Sequence, residues 1–190
     1  FKKGENIYDD KRIEYLYAII ENETLNLKSF SHAKKVNFKK PPFVSHEIFF
    51  PVSAPQLLEY ITNYSNRYQW AKGVEKVEYN EDQVNRVGSE HLCVVNEKHF
   101  NFITVTKEGK PEQIVYGELT SDLPIADEFY QFYVINPIDK NSCKLELEIY
   151  WKIKSPIKKL IFFLFGRKLI RNNSANGLND LLQFIEKNIA

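Results

Sequence analysis

At 190 residues and 22.4 kDa the chain has room for one domain of ordinary size and a short extra segment, not for two full domains. A 43% hydrophobic content, with 14 Phe, 11 Tyr and 2 Trp beside 27% charged residues, excludes disordered, collagenous and low-complexity classes. The net charge of +1 hides segregation: Glu75 to Glu128 holds 12 acids against 5 bases, whereas Lys152 to Arg171 holds seven cations and Lys28 to Lys40 five lysines, both without an acid.

Cys93 and Cys143 are the only cysteines, too few for a disulfide framework and in no C-x-x-C spacing, so a reducing compartment is expected, with the cytoplasm as default. The longest uninterrupted apolar run, Leu160 to Phe165, is far short of the ~20 residues that span a bilayer. The first residues lack the charged-then-apolar pattern of a secretion signal. The chain opens at Phe1 and contains no Met, which leads us to expect further sequence upstream.

In chain order, Ile13, Leu16, Tyr17 and Ile20 stand at helical spacing and predict a short amphipathic helix over residues 11–22. Lys28 to Pro42 is polar and basic and closes on Pro41-Pro42, which reads as an extended arm. We therefore divide the chain into residues 1–42, a helix and basic linker arm, and residues 43–190, the main domain. His46 to Phe50 predicts a strand, and Ser53 is placed to cap a helix that carries Pro55 in its first turn and Leu57, Leu58, Tyr60 and Ile61 on its apolar face. A second short helix or turn follows through Asn63 to Tyr68, and Gly73 lets the chain turn into a strand over Val74 to Tyr79.

Strands are then predicted at Gly88 to Asn96, His99 to Lys107, Gln113 to Thr120, Glu128 to Ile135 and Cys143 to Ile153, an antiparallel meander. The last is the cleanest: Cys143, Leu145, Leu147, Ile149, Trp151 and Ile153 alternate with Lys144, Glu146, Glu148, Tyr150 and Lys152, giving a dry and a wet face. From Pro156 the apolar residues Ile157, Leu160, Ile161, Leu164, Leu178, Leu181, Leu182 and Ile185 predict one long C-terminal helix, with an interruption expected near Gly166 or Gly177.

This order of elements is that of an α+β helix-grip fold: a curved antiparallel sheet wrapped around a long C-terminal helix, with two short helices after the first strand. The local sequence agrees. Glu47 to Pro55 resembles the opening strand and helix start of the START-like superfamily, also called Bet v 1-like, polyketide cyclase-like or SRPBCC. Asn63-Tyr64 followed by Trp70, Gly73, Val74 and Val77 resembles that superfamily's D-x-x-x-x-x-W-x-x-G-V corner, with Asn63 in place of the commoner Asp, and Val87-Gly88-Ser89 resembles its V-G-S turn into the third strand. The resemblance covers residues 44–190, about four-fifths of the chain. It implies a cavity between sheet and helix that holds a small hydrophobic or lipid-like molecule.

Aromatic walls suit such a cavity. Under the resemblance, the candidate ligand-binding residues are Phe100, Phe102, Tyr116, Phe129, Tyr133, Leu147, Ile149 and Trp151, with His91 and Arg171 as polar contributors. Phe132, Phe162 and Phe165 add further bulk. No G-x-S-x-G, P-loop, G-x-G-x-x-G or H-E-x-x-H motif is present, so no catalytic residue, cofactor or metal ligand is assigned. His91 and Cys93 share one strand face with His99 across the turn, a pattern read as a buried histidine beside a structural cysteine.

The alternatives from the resemblance are a cyclase- or hydratase-like enzyme using His91, Tyr116, Glu118, Tyr133, Arg171 or Asn172 in the same cavity, and a non-catalytic regulatory module attached to an upstream domain. Oligomeric state is left open, and nucleic acid is not expected as a partner at a pI near 7.9. The cations beside Leu160 to Phe165 suggest a transient contact with a membrane surface; the simpler expectation is that this run packs under the sheet.

Overall fold

Alternation at every second residue turns the chain from Val74 onward into an antiparallel ladder that β1 extends, and the helices close over one side of it. The computed structural model describes residues 35–124 and 126–189, so the helix expected over residues 11–22 lies outside the described residues. Strand β1 (Val44–Phe50) is followed by helix α1 (Ala54–Thr62) and a 3-10 turn (Tyr64–Gln69). Next come β2 (Val74–Tyr79), β3 (Glu90–Val95), β4 (Lys98–Val105), β5 (Ile114–Thr120), β6 (Glu128–Pro137) and β7 (Cys143–Lys152). The chain ends in α2 (Pro156–Ile161), a π-helical turn (Phe162–Gly166) and α3 (Arg167–Ile189). The seven strands form one antiparallel sheet in the order β1-β7-β6-β5-β4-β3-β2.

Local chemistry sets several boundaries. Ser53 caps α1 in a reciprocal capping box with Gln56, and Pro55 sits in the first turn, where its missing N–H costs nothing. Asn63, where the resembled corner more often has Asp, makes no side-chain cap bond to the 3-10 turn. Gly73 adopts φ +82°, a conformation open to glycine and strained for other residues, and so admits the turn into β2. Both glycines of the C-terminal helix are helical; the irregularity takes the form of the π turn that ends on Gly166, where an ideal Cβ would lie 2.5 Å from the Phe162 ring.

The inner face of the sheet packs Tyr133, Ile135, Leu145, Leu147 and Ile149 against Leu57 and Ile61 of α1 and Leu178, Leu181 and Ile185 of α3. The face expected to be wet is so only in part: on β7, Lys152 is exposed and Lys144 and Glu146 are half-buried. Val105, Leu119, Tyr130, Phe132 and Val134 form a second cluster on the outside, covered by Val36 and Phe38 of the arm. Phe38 stacks on Tyr150 at 3.9 Å between centroids, and Val36 donates its backbone N–H to Thr106 O at 2.8 Å. Glu148 is buried there as well, ion-paired with Lys107. An arm laid over the outer face converts polar-looking alternation into two half-cores.

The largest departure concerns Leu160 to Phe165. Only Phe162 turns inward, onto Trp151 at 3.7 Å and Phe43 at 5.7 Å, while Leu160, Ile161, Phe163, Leu164 and Phe165 are exposed. The space under the sheet that this run was expected to fill is occupied by that aromatic trio and by an open cavity.

Candidate functional site

Between the inner face of the sheet and α3 lies a cavity of about 400 Å³. Strand residues with the same parity supply one wall: Cys93 and Val95 of β3, Phe100 and Phe102 of β4, Glu118 and Thr120 of β5, Phe129, Gln131 and Tyr133 of β6, and Leu147 and Ile149 of β7. Ile170, Asn173, Ser174, Gly177 and Leu178 of α3 supply the other, and Arg67, Trp70, Ala71 and Val74 close one end. The opposing helix is tied to the sheet edge by His46 Nε2 and Ser174 Oγ at 2.9 Å. Gly177 is a helix-interior glycine with no atom within 4 Å of where its Cβ would be. Such a glycine costs its helix ~1 kcal/mol relative to Ala and here leaves volume to the cavity.

One end of the cavity is polar. The 3-10 turn repeats every three residues, so Tyr64, Arg67 and Trp70 fall on one face, and the Arg67 guanidinium lies 4.9 Å from the Tyr64 ring centroid and 5.6 Å from that of Trp70. Arg67 Nη1 donates to Glu118 Oε1 at 2.6 Å and Nη2 donates to Ile61 O at 3.1 Å. Tyr116 donates to the same Glu118 oxygen at 2.8 Å and accepts from the Tyr64 hydroxyl at 2.6 Å. His91 Nε2 stands 3.4 Å from Arg67 Nη1 and 3.5 Å from Glu118 Oε1, with its ring stacked between Tyr64 and Phe102. Arg67 Nε, Trp70 Nε1 and His91 Nδ1 are buried without a hydrogen-bond partner.

The charges of this cluster are fixed by one another. Burial works against the Glu118 carboxylate, yet Arg67, with His91 and the hydrogen bonds from Arg67 and Tyr116, holds its pKa below the usual range. Burial likewise works against Arg67, and Glu118 holds its guanidinium firmly protonated. His91 is pushed down to about 4, chiefly by burial, so it is neutral at pH 7. Burial raises Tyr133 and Tyr116, which keep their protons, and lifts the Cys93 thiol to about 11. The polar end thus carries one plus and one minus, with no net charge. Among the described residues, no three His, Cys, Asp or Glu side chains gather to hold a metal ion.

Of the residues singled out from the sequence, Phe100, Phe102, Phe129, Tyr133, Leu147 and Ile149 lie on the cavity wall. Tyr116 and His91 point to the same side but sit behind it, packed under Tyr64. Trp151 is held in the aromatic trio with Phe43 and Phe162, beside a separate groove along the arm. Arg171 and Asn172 are exposed, Phe132 belongs to the outer cluster and Phe165 is exposed. Arg67 is the residue the sequence reading missed. The available signal was the 64-67-70 spacing, three residues per turn, with an aromatic on either side of a cation.

No protein-family model matches the chain, and no curated protein sequence matches it. Solved structures do. A norcoclaurine synthase point mutant from Thalictrum flavum, in complex with a transition-state analogue, matches at TM-score 0.58 and 12% identity, over 77% of this chain and 95% of that one. The di-domain ARO/CYC protein BexL matches at 0.59 and 15% identity, over 75% of this chain and 46% of that one. A protein of Thermus thermophilus matches at 0.54 and 17% identity, over 77% and 99%. The norcoclaurine synthase is also known in complex with dopamine and hydroxybenzaldehyde. At such identities the likeness concerns fold: the chain has the Bet v 1 or polyketide cyclase-like helix-grip architecture.

Proposed function

We propose that the protein binds a small, largely hydrophobic molecule with a neutral hydrogen-bonding group at one end, in the cavity between the sheet and α3. The observation that carries this reading is a void of about 400 Å³ in the middle of an aromatic and aliphatic wall. Ligand pockets of this kind commonly measure ~300–1,000 Å³. A helix-interior glycine facing open space supports it too, since a chain selected for stability alone would fill that position. The ligand's polar end is neutral because Glu118 already cancels Arg67, so a carboxylate or ammonium buried beside them would lack a counter-charge. Norcoclaurine synthase, with the same fold, is known in complex with dopamine and hydroxybenzaldehyde, two small aromatic molecules.

Native mass spectrometry of freshly purified protein tests the reading through a retained organic mass, and uptake of a hydrophobic fluorescent dye gives a titration. Gly177→Leu places a side chain in the open volume and is expected to weaken dye binding about tenfold or more without lowering the unfolding midpoint. Neither a retained mass nor dye uptake, or equal dye affinity in Gly177→Leu, would refute it.

A catalytic use of the same cavity is the second reading. It is favoured by Tyr133, whose protonated hydroxyl lies on the wall and could donate to a developing oxyanion. Turnover of a carbonyl substrate that Tyr133→Phe abolishes while dye binding persists would establish it.

A further inference from the structure

We infer that the surface formed by α2 and the π turn docks onto an anionic lipid bilayer. Ile157, Leu160 and Leu164 project outward at helical spacing, joined by Phe163, Phe165 and Leu169; Phe165 is 72% and Ile157 71% exposed. A contiguous apolar surface of this kind marks an interaction site. Lys154, Lys158, Lys159, Arg167, Lys168 and Arg171 stand among and beside these side chains, and the first acid after Glu148 is Asp180. Apolar groups interleaved with cations match a membrane interface, where the former enter the acyl boundary and the latter meet anionic headgroups.

The arrangement around the helix separates a bilayer from a protein groove. The π turn is wound more widely than an α-helix, so successive residues are roughly 80° apart and Phe163, Leu164 and Phe165 together sweep ~160°. A groove in a folded partner receives a narrower stripe of ~100°, whereas lipid can surround all three. The location adds a use. Ile170, Asn173 and Ser174 on the next turns of α3 line the cavity, so a bilayer contacting Leu169 lies beside the compartment that would receive a lipid-soluble cargo. That last step rests on the ligand-binding reading; the docking itself does not.

The test is co-sedimentation of the full chain with vesicles of phosphatidylcholine alone and with about 30% phosphatidylserine, with dye binding measured in parallel. The expected result is retention on the anionic vesicles that is much reduced on neutral ones and at about 0.5 M salt. Leu164→Glu/Phe165→Glu alters two exposed side chains and should abolish retention while dye affinity and the circular dichroism spectrum are unchanged. Lys158→Glu/Lys168→Glu should lower the partition coefficient about tenfold or more. Absence of retention by the unaltered chain overturns the inference, as does retention that ignores both double variants. A concentration-dependent dimer that Leu164→Glu/Phe165→Glu dissolves, in a chain that ignores vesicles, would instead make the surface a subunit contact and equally overturn it. Failure of dye uptake with retained docking would sink the cavity reading alone.

Discussion

Glu118→Gln is expected to cost about 3–5 kcal/mol of folding stability, the usual consequence of leaving a buried charge without its partner. The substitution keeps shape and removes the charge. It leaves Arg67, whose side chain is 5% exposed, without a counter-charge among a carbonyl, a neutral imidazole, aromatic rings and the protonated Cys93 and Tyr116. At 2.6 Å and an effective dielectric of about 20, the lost attraction is about 6 kcal/mol. The amide oxygen can still accept from Arg67 and Tyr116, which returns part of it. Equilibrium unfolding in urea reads the effect, and with a slope of about 2 kcal/mol per molar the midpoint should fall by about 1.5–2.5 M. Arg67→Met/Glu118→Gln should cost clearly less than the two single changes added together.

The carboxyl is depressed in the folded state, so its contribution is present above the unfolded pKa of ~4.3 and is lost as pH falls through the lower folded value. The gap between wild type and Glu118→Gln should therefore be full at pH 7 and close only in strong acid. A midpoint change below about 0.5 M, or additivity in the double variant, would mean that the pair is solvated and that the cavity lacks a dry polar end.

The His91 pKa of about 4, against 6.5 for the free side chain, means that the unfolded chain takes up a proton first as pH falls; stability is full above pH 6.5 and declines by about 3 kcal/mol towards pH 4. His91→Phe, which fits between Tyr64 and Phe102, should flatten that slope in urea titrations at pH 7 and pH 5, and an unchanged slope would assign it elsewhere. Gly117→Ala would set a Cβ 2.5 Å from the Phe132 ring and 2.9 Å from Val105 O, so a loss of about 1–3 kcal/mol is expected in thermal unfolding; a neutral effect would show the outer cluster to be loosely packed.

The architecture was legible because its signals are local and repeated. Period-two alternation in β7, the Ser53 cap with Pro55, and the glycine at the turn into β2 each restrict the chain within a few residues of themselves. Of the residues offered under the resemblance, six lie on the cavity wall, two each from β4, β6 and β7, where neighbours two apart on a strand share a face. What periodicity could not say is which apolar residues meet protein. Leu160, Ile161 and Leu164 have the spacing of a core-facing stripe and yet face outward, because Phe162 with Trp151 and Phe43 already occupies the place beneath the sheet.

The arm shows the converse. Val36 and Phe38 sit in a polar, lysine-rich stretch, and only their docking on Tyr130, Phe132 and Tyr150 turns the outer face into a second core. The Arg67–Glu118 pair joins residues 51 apart in sequence. Its members meet because the 3-10 turn folds back over β5, and the 64-67-70 spacing that marks the cation says nothing of the strand residue it meets. Strand, cap and turn are decided by backbone geometry and nearest neighbours, so the amino-acid order alone determined them. The void, its neutral polar end and the uncovered apolar turn are differences between what packing supplies and what it leaves over, and only the assembled tertiary structure decides those.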